Sequence, residues 1–208
     1  MRLFKHFFLA FFVFLSVFAE KIIAAPLTDV NLRAGLISAL KQHPSILGFY
    51  KENEYELIWL KNTEVSRQRR AELINSLKTA SFHGLPAKKY QVKELLGRLS
   101  TSDSSFEIGF LEGLLMISFT QYASDINSGV LVPSEVDSDI VRESKLKDPI
   151  FYIRGLISRD PYDYFRSLGP QSSEYSRLLV EKYKLMEVAK NAGWSTLSEG
   201  RVLRFGDF

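Results

Sequence analysis

The sequence has no cysteine, and among its 208 residues only three are histidine and two are tryptophan. Without cysteine the chain forms no disulfide and offers no thiol nucleophile, so its core must be held by packing alone. His43 and His83 are the only histidines beyond the first 19 residues, and neither has a second histidine or a carboxylate at the spacing of metal ligands. The sequence therefore predicts no metal site and no cofactor.

Only one long apolar run begins at a positively charged flank, and it lies at the N-terminus. Arg2 and Lys5 precede Phe7 to Ala19, which is apolar except for one serine. This run is shorter than the about 20 residues of a membrane span and matches the roughly 7 to 15 of a secretory leader. We expect residues 1–19 to be a signal peptide that directs export to the periplasm. Cleavage after Ala24 or Ala25 is a weaker alternative, and an uncleaved leader would anchor the protein to the membrane.

An excess of positive charge is also missing once the leader is set aside. The chain has 27 basic and 24 acidic residues, and the leader holds two of the basic ones and no acid. The remainder is nearly neutral, which argues against nucleic acid as a partner. The single basic run, Arg67-Gln-Arg-Arg70, is expected on the solvated face of a helix.

The rest of the chain has the periodicity and punctuation of helices. The fold class predicted is mainly α, a compact multi-helix bundle with a small extended hairpin-like piece, after the signal peptide. Two short apolar segments, Ile46 to Tyr50 and Glu56 to Leu60, are expected to form that hairpin, with Trp59 as its buried anchor. The helices are predicted from a Thr28 cap to before Pro44, over 66–82 with an end at Gly84, over 92–99, over 106–126, after Asp148-Pro149 and Asp160-Pro161, and over 173–191.

The segment from Phe110 to Phe119 is apolar on nearly every side, which predicts a central buried helix. A membrane span is the alternative, but it would carry Glu107 and Glu112 into lipid at about 2.5 kcal/mol or more for an acid near the centre. Gly109 and Gly113 form a G-x-x-x-G step, which predicts close approach of a neighbouring helix. On the last helix, an inward face is expected for Tyr175, Leu178, Leu179, Tyr183, Met186 and Ala189.

Residues that could carry catalysis are few. Ser38-Ala-Leu-Lys41 fits the S-x-x-K pattern of serine acyl transferases, and Ser124-Asp125 and Lys78-Thr79 echo its partner motifs. Their order in the chain is wrong, and Lys78 is predicted on a helix where a strand is required. Glu107 and Glu112 are five residues apart on one helix and do not converge as an acid–base pair. No catalytic residue is predicted.

Several motifs follow one another in a distinctive order. They are Phe49-Tyr50, Leu57-Ile-Trp59, Ala80-Ser-Phe-His-Gly-Leu-Pro-Ala-Lys-Lys-Tyr90, Asp125-Ile-Asn-Ser-Gly129 with Pro133, and Pro170, Tyr175, Leu178, Tyr183 and Gly193-Trp194. Their order resembles the scaffold domain of the larger bacterial L,D-transpeptidases of the YkuD superfamily.

The resemblance implies a periplasmic protein of peptidoglycan cross-linking. In that family a scaffold domain is followed by a peptidoglycan-binding-like module and a catalytic domain, whose cysteine lies in a Ser-His-Gly-Cys-x-Arg segment that this chain lacks. We therefore expect a non-catalytic scaffold domain over residues 27–195 and the start of a truncated peptidoglycan-binding-like module over 196–208, marked by Gly200, Leu203 and Gly206.

The implied partners are a catalytic L,D-transpeptidase domain or another cell-wall protein, and peptidoglycan. The alternative is a free-standing periplasmic module that binds peptidoglycan or protein, with Tyr152, Tyr162 and Tyr164 as candidate contacts, although core packing suits each of them better. Serine acyl transfer through Ser38 is the third hypothesis.

Overall fold

The computed structural model describes residues 29–131, 133–139, 146–191, 193, 200, 204 and 205, and all its regular structure over these residues is helical. The predicted signal peptide, Thr28, Trp194, Leu203, Gly206 and most of the predicted C-terminal module lie outside the described residues. The helices are α1 (Val30–Leu40), α2 (Pro44–Glu52), α3 (Glu64–Thr79), α4 (Val92–Thr101), α5 (Ser105–Ser128), α6 (Pro133–Val136), α7 (Pro149–Ser158), α8 (Pro161–Leu168) and α9 (Ser173–Lys190). The mainly α prediction is confirmed.

The centre of the fold is α5, as its uniform apolarity predicts. Leu115, Met116 and Phe119 on this helix are fully buried, and other elements pack around it. Ser104 caps the helix, because its hydroxyl accepts a hydrogen bond from the Glu107 N–H. A helix that is covered on nearly every side needs no polar face towards solvent, and the sequence of α5 accordingly has few polar residues in its central part.

Glycine allows α1 and α5 to touch backbone to backbone. A Cβ placed on Gly109 would lie 1.9 Å from the carbonyl oxygen of Leu32, and one placed on Gly35 would lie 2.0 Å from that of Phe106. The predicted use of Gly109 for close helix approach is therefore confirmed. Its partner Gly35 carries no such signal in the sequence, because a lone helical glycine does not indicate what faces it.

Most helix boundaries follow their local signals. The Asp148 carboxylate accepts a hydrogen bond from the Ile150 N–H at 2.7 Å, and that of Asp160 accepts one from the Asp163 N–H at 3.1 Å, so both predicted Asp-Pro helix starts are confirmed. α3 continues through a 3₁₀ turn to Gly84, whose φ of 79° is the left-handed conformation predicted there.

The predicted extended hairpin is wrong. Pro44–Glu52 is a helix, α2, and residues 53–61 form a loop without strand pairing. Pro44, expected to follow the end of the first helix, begins the second, because proline suits a first helical turn. Short apolar runs do not separate strand from helix by periodicity, which explains the error. Trp59 is fully buried as predicted, but it lies in the loop.

Aromatic rings join the loop to the core. The ring centroid of Phe119 on α5 lies 5.5 Å from that of Trp59 and 5.7 Å from that of Phe165 on α8. These spacings fall in the range of favourable tilted aromatic pairs. The loop after α2 is therefore built into the core and not attached to its outside.

Candidate functional site: a clamped loop and an exposed helix face

Glu112 on α5 accepts hydrogen bonds from four donors, one on α2 and three in the loop that follows it. Its Oε1 atom accepts hydrogen bonds from the Tyr50 hydroxyl and the Ile58 N–H, both at 2.7 Å. The Trp59 N–H lies 3.1 Å from Oε1 and 3.2 Å from Oε2, and the Leu60 N–H donates to Oε2 at 2.9 Å. Three successive backbone N–H groups thus converge on one carboxylate, as in an anion-binding backbone nest. We call this arrangement the Glu112 clamp.

The clamp is sealed from solvent. Glu112 is fully buried, and burial raises the pKa of its carboxyl, while the hydrogen bonds from Ile58, Tyr50 and the two following N–H groups oppose that rise. Burial, followed by the charge of Glu112, raises the pKa of Tyr50. A carboxylate whose lone pairs are all engaged, and which substrate cannot reach, holds structure and does not transfer protons to a ligand.

Two arginines close the other side of the loop. Arg70 donates to the carbonyl of Trp59, and Arg69 lies 3.5 Å from those of Ile58 and Ile157. Burial lowers the pKa of both side chains. The prediction that Arg67 to Arg70 form a solvated face is therefore wrong for these two, and it holds for Arg67, which is exposed and pairs with a glutamate on its own helix.

A second buried acid connects α5 to the turn before α4. The Asp125 carboxylate accepts hydrogen bonds from the Lys89 ammonium at 2.7 Å and from the Tyr90 hydroxyl at 2.8 Å. Burial, together with Asp125, raises the pKa of Tyr90. Like Glu112, Asp125 is engaged by groups that fasten one segment to another.

The S-x-x-K pattern is not assembled into a site. Ser38 is on α1, Lys41 directly follows that helix, Lys78 lies in the last turn of α3 and Ser124 is on α5. No hydrogen bond or ion pair joins these side chains within the described ranges. The adjacent Thr79 hydroxyl donates to the carbonyl of Asn75 in its own helix. Glu107 and Glu112 have different partners. The Glu107 carboxylate lies 3.6 Å from the Arg98 guanidinium, and the partners of Glu112 are the four donors of the clamp.

Helix α9 is fastened to the body near its N-terminal half. The Nδ1 atom of His83 lies 2.7 Å from the Tyr175 hydroxyl, and the two rings are nearly parallel with centroids 6.1 Å apart. Lys182 donates to the carbonyls of Ser81 and Phe82, at 2.7 and 3.2 Å. Burial, and then the charge of Lys182, lowers the pKa of His83. These contacts give His83 a packing role between the body of the fold and α9.

The apolar face of α9 is exposed, contrary to prediction. No residue of this helix is buried, and only Tyr175 and Leu179 of the six residues expected inward are partly covered. We define the α9 face as the large apolar side chains within one half of the helix circumference that are roughly half or more exposed: Leu178, Tyr183, Leu185 and Met186. The periodicity correctly identifies apolar positions but does not show that an element of this chain covers them.

A protein-family model described as the scaffold domain matches residues 44–181, two thirds of the sequence. The chain belongs to the scaffold domain family. Searches of the curated proteins and of the solved structures found no match. In this scaffold domain the matched region runs from the start of α2 to the middle of α9, so it contains the whole Glu112 clamp.

The scaffold domain also has an open groove where α7 meets α8. Its volume is about 680 Å³, and its lining includes Tyr152 and Tyr164. Both of these tyrosines are buried, and burial raises the pKa of Tyr164 to about 12. Of the three tyrosines proposed as surface contacts, only Tyr162 is exposed, and its hydroxyl accepts a hydrogen bond from Arg166.

The described part of the scaffold domain contains no group of three or more His, Cys, Asp or Glu side chains placed to hold a metal ion. No helix in that part is long and apolar enough to span a membrane. The two buried carboxylates among the described residues, Glu112 and Asp125, are both engaged within the fold. What this part of the molecule presents to solvent is an apolar helix face and a groove.

Proposed function

We propose that this chain is the non-catalytic scaffold portion of a periplasmic L,D-transpeptidase, which takes part in peptidoglycan cross-linking and cell-wall remodelling. Its role is to position a catalytic domain that brings the cysteine nucleophile. Membership in the scaffold domain family supports the non-catalytic role. The ordered motifs shared with the large L,D-transpeptidases support the enzyme context, and the leader at residues 1–19 supports export.

The observation that carries the proposal is the exposed α9 face. Leu178 is 67% exposed, and Tyr183, Leu185 and Met186 lie on the same helix at about half exposure. Clustered apolar side chains on a monomer surface mark interaction sites, and tyrosine and methionine are enriched in protein interfaces. A structural support needs such a face, because it acts by binding another protein.

The Glu112 clamp suits the same role. It fixes the loop of residues 53–61 against the central helix with three backbone donors, adds the Tyr50 hydroxyl from α2 as a fourth, and the Trp59 ring is buried beside it. A surface carried by a rigid body loses little conformational entropy when it binds, and this favours a defined geometry between the two domains.

The test is binding of the purified chain to a separately expressed L,D-transpeptidase catalytic domain from the same genome, followed by calorimetry. We expect the double variant Leu178→Ser, Leu185→Ser to weaken binding about tenfold or more, since truncating an interface anchor costs over 1 kcal/mol. Leu131→Ser is the matched control, because Leu131 is 69% exposed and lies outside α9. Equal binding by wild type and double variant, or no binding at all, would refute the proposed docking.

The alternative is a free-standing periplasmic module that binds peptidoglycan or protein. The groove between α7 and α8 favours it, because this open site does not depend on a second domain. Retention of the isolated chain on purified sacculi that does not change when the catalytic domain is added supports the module, whereas the scaffold proposal expects the catalytic domain to increase retention.

A further inference from the structure

The groove between α7 and α8 has a built floor. Tyr164 lies over the bare backbone of Gly155, so that a Cβ at this glycine would lie 2.4 Å from the tyrosine ring. The Tyr164 hydroxyl donates to the carbonyl of Tyr152 at 2.8 Å, which joins the two helices beneath the groove. Leu168 completes the buried lining. The floor is therefore held by packing and a buried hydrogen bond and does not depend on a ligand.

Among the described residues, three cations line this groove against one acid. They are Lys147, Arg154 and Arg159, and the acid is Asp148. The Asp148 carboxylate is already engaged, since it caps α7 through the Ile150 N–H at 2.7 Å. The groove is consequently positive and carries two guanidinium groups that can form paired hydrogen bonds with a carboxylate.

These cations have no carboxylate partner among the described residues, and two of them lie over aromatic rings. The Lys147 ammonium is 4.5 Å from the ring centroid of Phe151, and the Arg159 guanidinium is 5.9 Å from that of Tyr164. Elsewhere in the chain, Arg67, Arg98 and Arg177 each pair with a glutamate on their own helix. Positive charge in the groove is thus left available to a ligand.

We propose that this groove binds a peptide that carries free carboxylates. The two guanidinium groups and the ammonium bind the carboxylates, Phe151 supplies an apolar wall, and the amide and hydroxyl groups of Asn127 and Ser158 serve the peptide backbone. The ionic contacts lie at an exposed rim, so binding is expected to weaken as salt screens them. The identity of the peptide as the carboxylate-bearing stem peptide of peptidoglycan rests on the proposed function, whereas the recognition of carboxylates rests on the groove alone.

The experiment is calorimetry of the purified chain with three probes: a soluble muropeptide monomer, the same monomer with its carboxylates converted to amides, and triglutamate. We expect the muropeptide and triglutamate to bind, and the amidated monomer to bind at least tenfold more weakly. Arg154→Gln and Arg159→Gln should each weaken binding of both acidic probes about tenfold. Arg177→Gln is the matched control, because it removes an exposed arginine from α9 and should leave binding unchanged.

The Arg154 side chain is exposed and makes no hydrogen bond or ion pair with the described residues, so its variant should fold normally, and the circular dichroism spectrum verifies this. Equal binding of the native and amidated monomers overturns carboxylate recognition. Absence of binding by both acidic probes overturns the groove site and leaves the docking of a catalytic domain to its own test. Binding of triglutamate without the muropeptide supports the site and overturns the wall peptide as its ligand.

Discussion

Tyr50 and Glu112 are 62 residues apart in the sequence, yet the tyrosine hydroxyl donates to the carboxylate at 2.7 Å in the middle of the protein. This bond and the three backbone donors beside it determine where the loop after α2 lies. A buried acid on an apolar helix would otherwise be costly, and the loop offsets that cost by supplying donors. The arrangement explains why the only charge between Phe110 and Phe119 is compatible with a central core helix.

We predict that Glu112→Gln destabilises the protein by about 2 kcal/mol, because an amide offers one acceptor oxygen and turns its own N–H groups towards donors. Urea denaturation followed by Trp59 fluorescence measures the change. Glu107→Gln, on the same helix but partly exposed beside Arg98, should change stability by about 0.5 kcal/mol or less. Equal effects of the two substitutions would show that the Glu112 clamp does not hold the loop.

We predict that Gly109→Ala destabilises the protein by about 2 kcal/mol, since the new methyl group would meet the carbonyl of Leu32 and force α1 away from α5. Gly97→Ala is the matched control, because Gly97 is also helical and nothing lies within 4 Å of its Cβ position. The control should be stabilising by about 0.5 to 1 kcal/mol through helix propensity. Thermal unfolding of both variants checks the pair, and a neutral Gly109→Ala would contradict the close helix contact.

We predict that lowering the pH weakens the attachment of α9 to the rest of the domain. Burial lowers the pKa of His83 in the folded protein, so the unfolded chain binds a proton more readily and stability falls as the pH drops below the ordinary histidine value of 6.5. A proton on His83 also adds positive charge beside Lys182. Hydrogen exchange of the α9 amides should therefore be faster at pH 5 than at pH 7.5 after correction for intrinsic rates. Replacing His83 with Asn should abolish most of this difference, and a pH dependence unchanged in that variant would contradict it.

Local signals in the sequence account for much of the helical framework. The two Asp-Pro pairs, Gly84 and the uniform apolarity of α5 act within a few residues, so they can be recognised without knowing the fold. The sequence does not predict α2 as a helix, because its short apolar run fits either a strand or a helix. Its state is decided by Pro44 at the start and by packing against distant elements.

The site depends on contacts that sequence spacing does not encode. The lone acid of α5 signals a buried charge, but its donors at Ile58 and Leu60 are more than 50 residues away. The sequence places Arg70 in a run predicted to be solvated, and only the folded chain shows that it donates to the loop carbonyl of Trp59. The exposure of the α9 face cannot be predicted from the sequence for a related reason. A periodic apolar pattern shows which side of a helix is apolar, and the pattern is the same whether this chain or a partner covers that side.

The central claim is that this scaffold domain supports cross-linking without performing it, and mass spectrometry of the cross-linked products tests the claim most directly. Muropeptides incubated with the purified chain alone should yield no new cross-link. Adding the chain to a limiting amount of catalytic domain should increase the 3-3 cross-linked product, and the Leu178→Ser, Leu185→Ser variant should lose that increase. New cross-links formed by the chain alone would contradict the account.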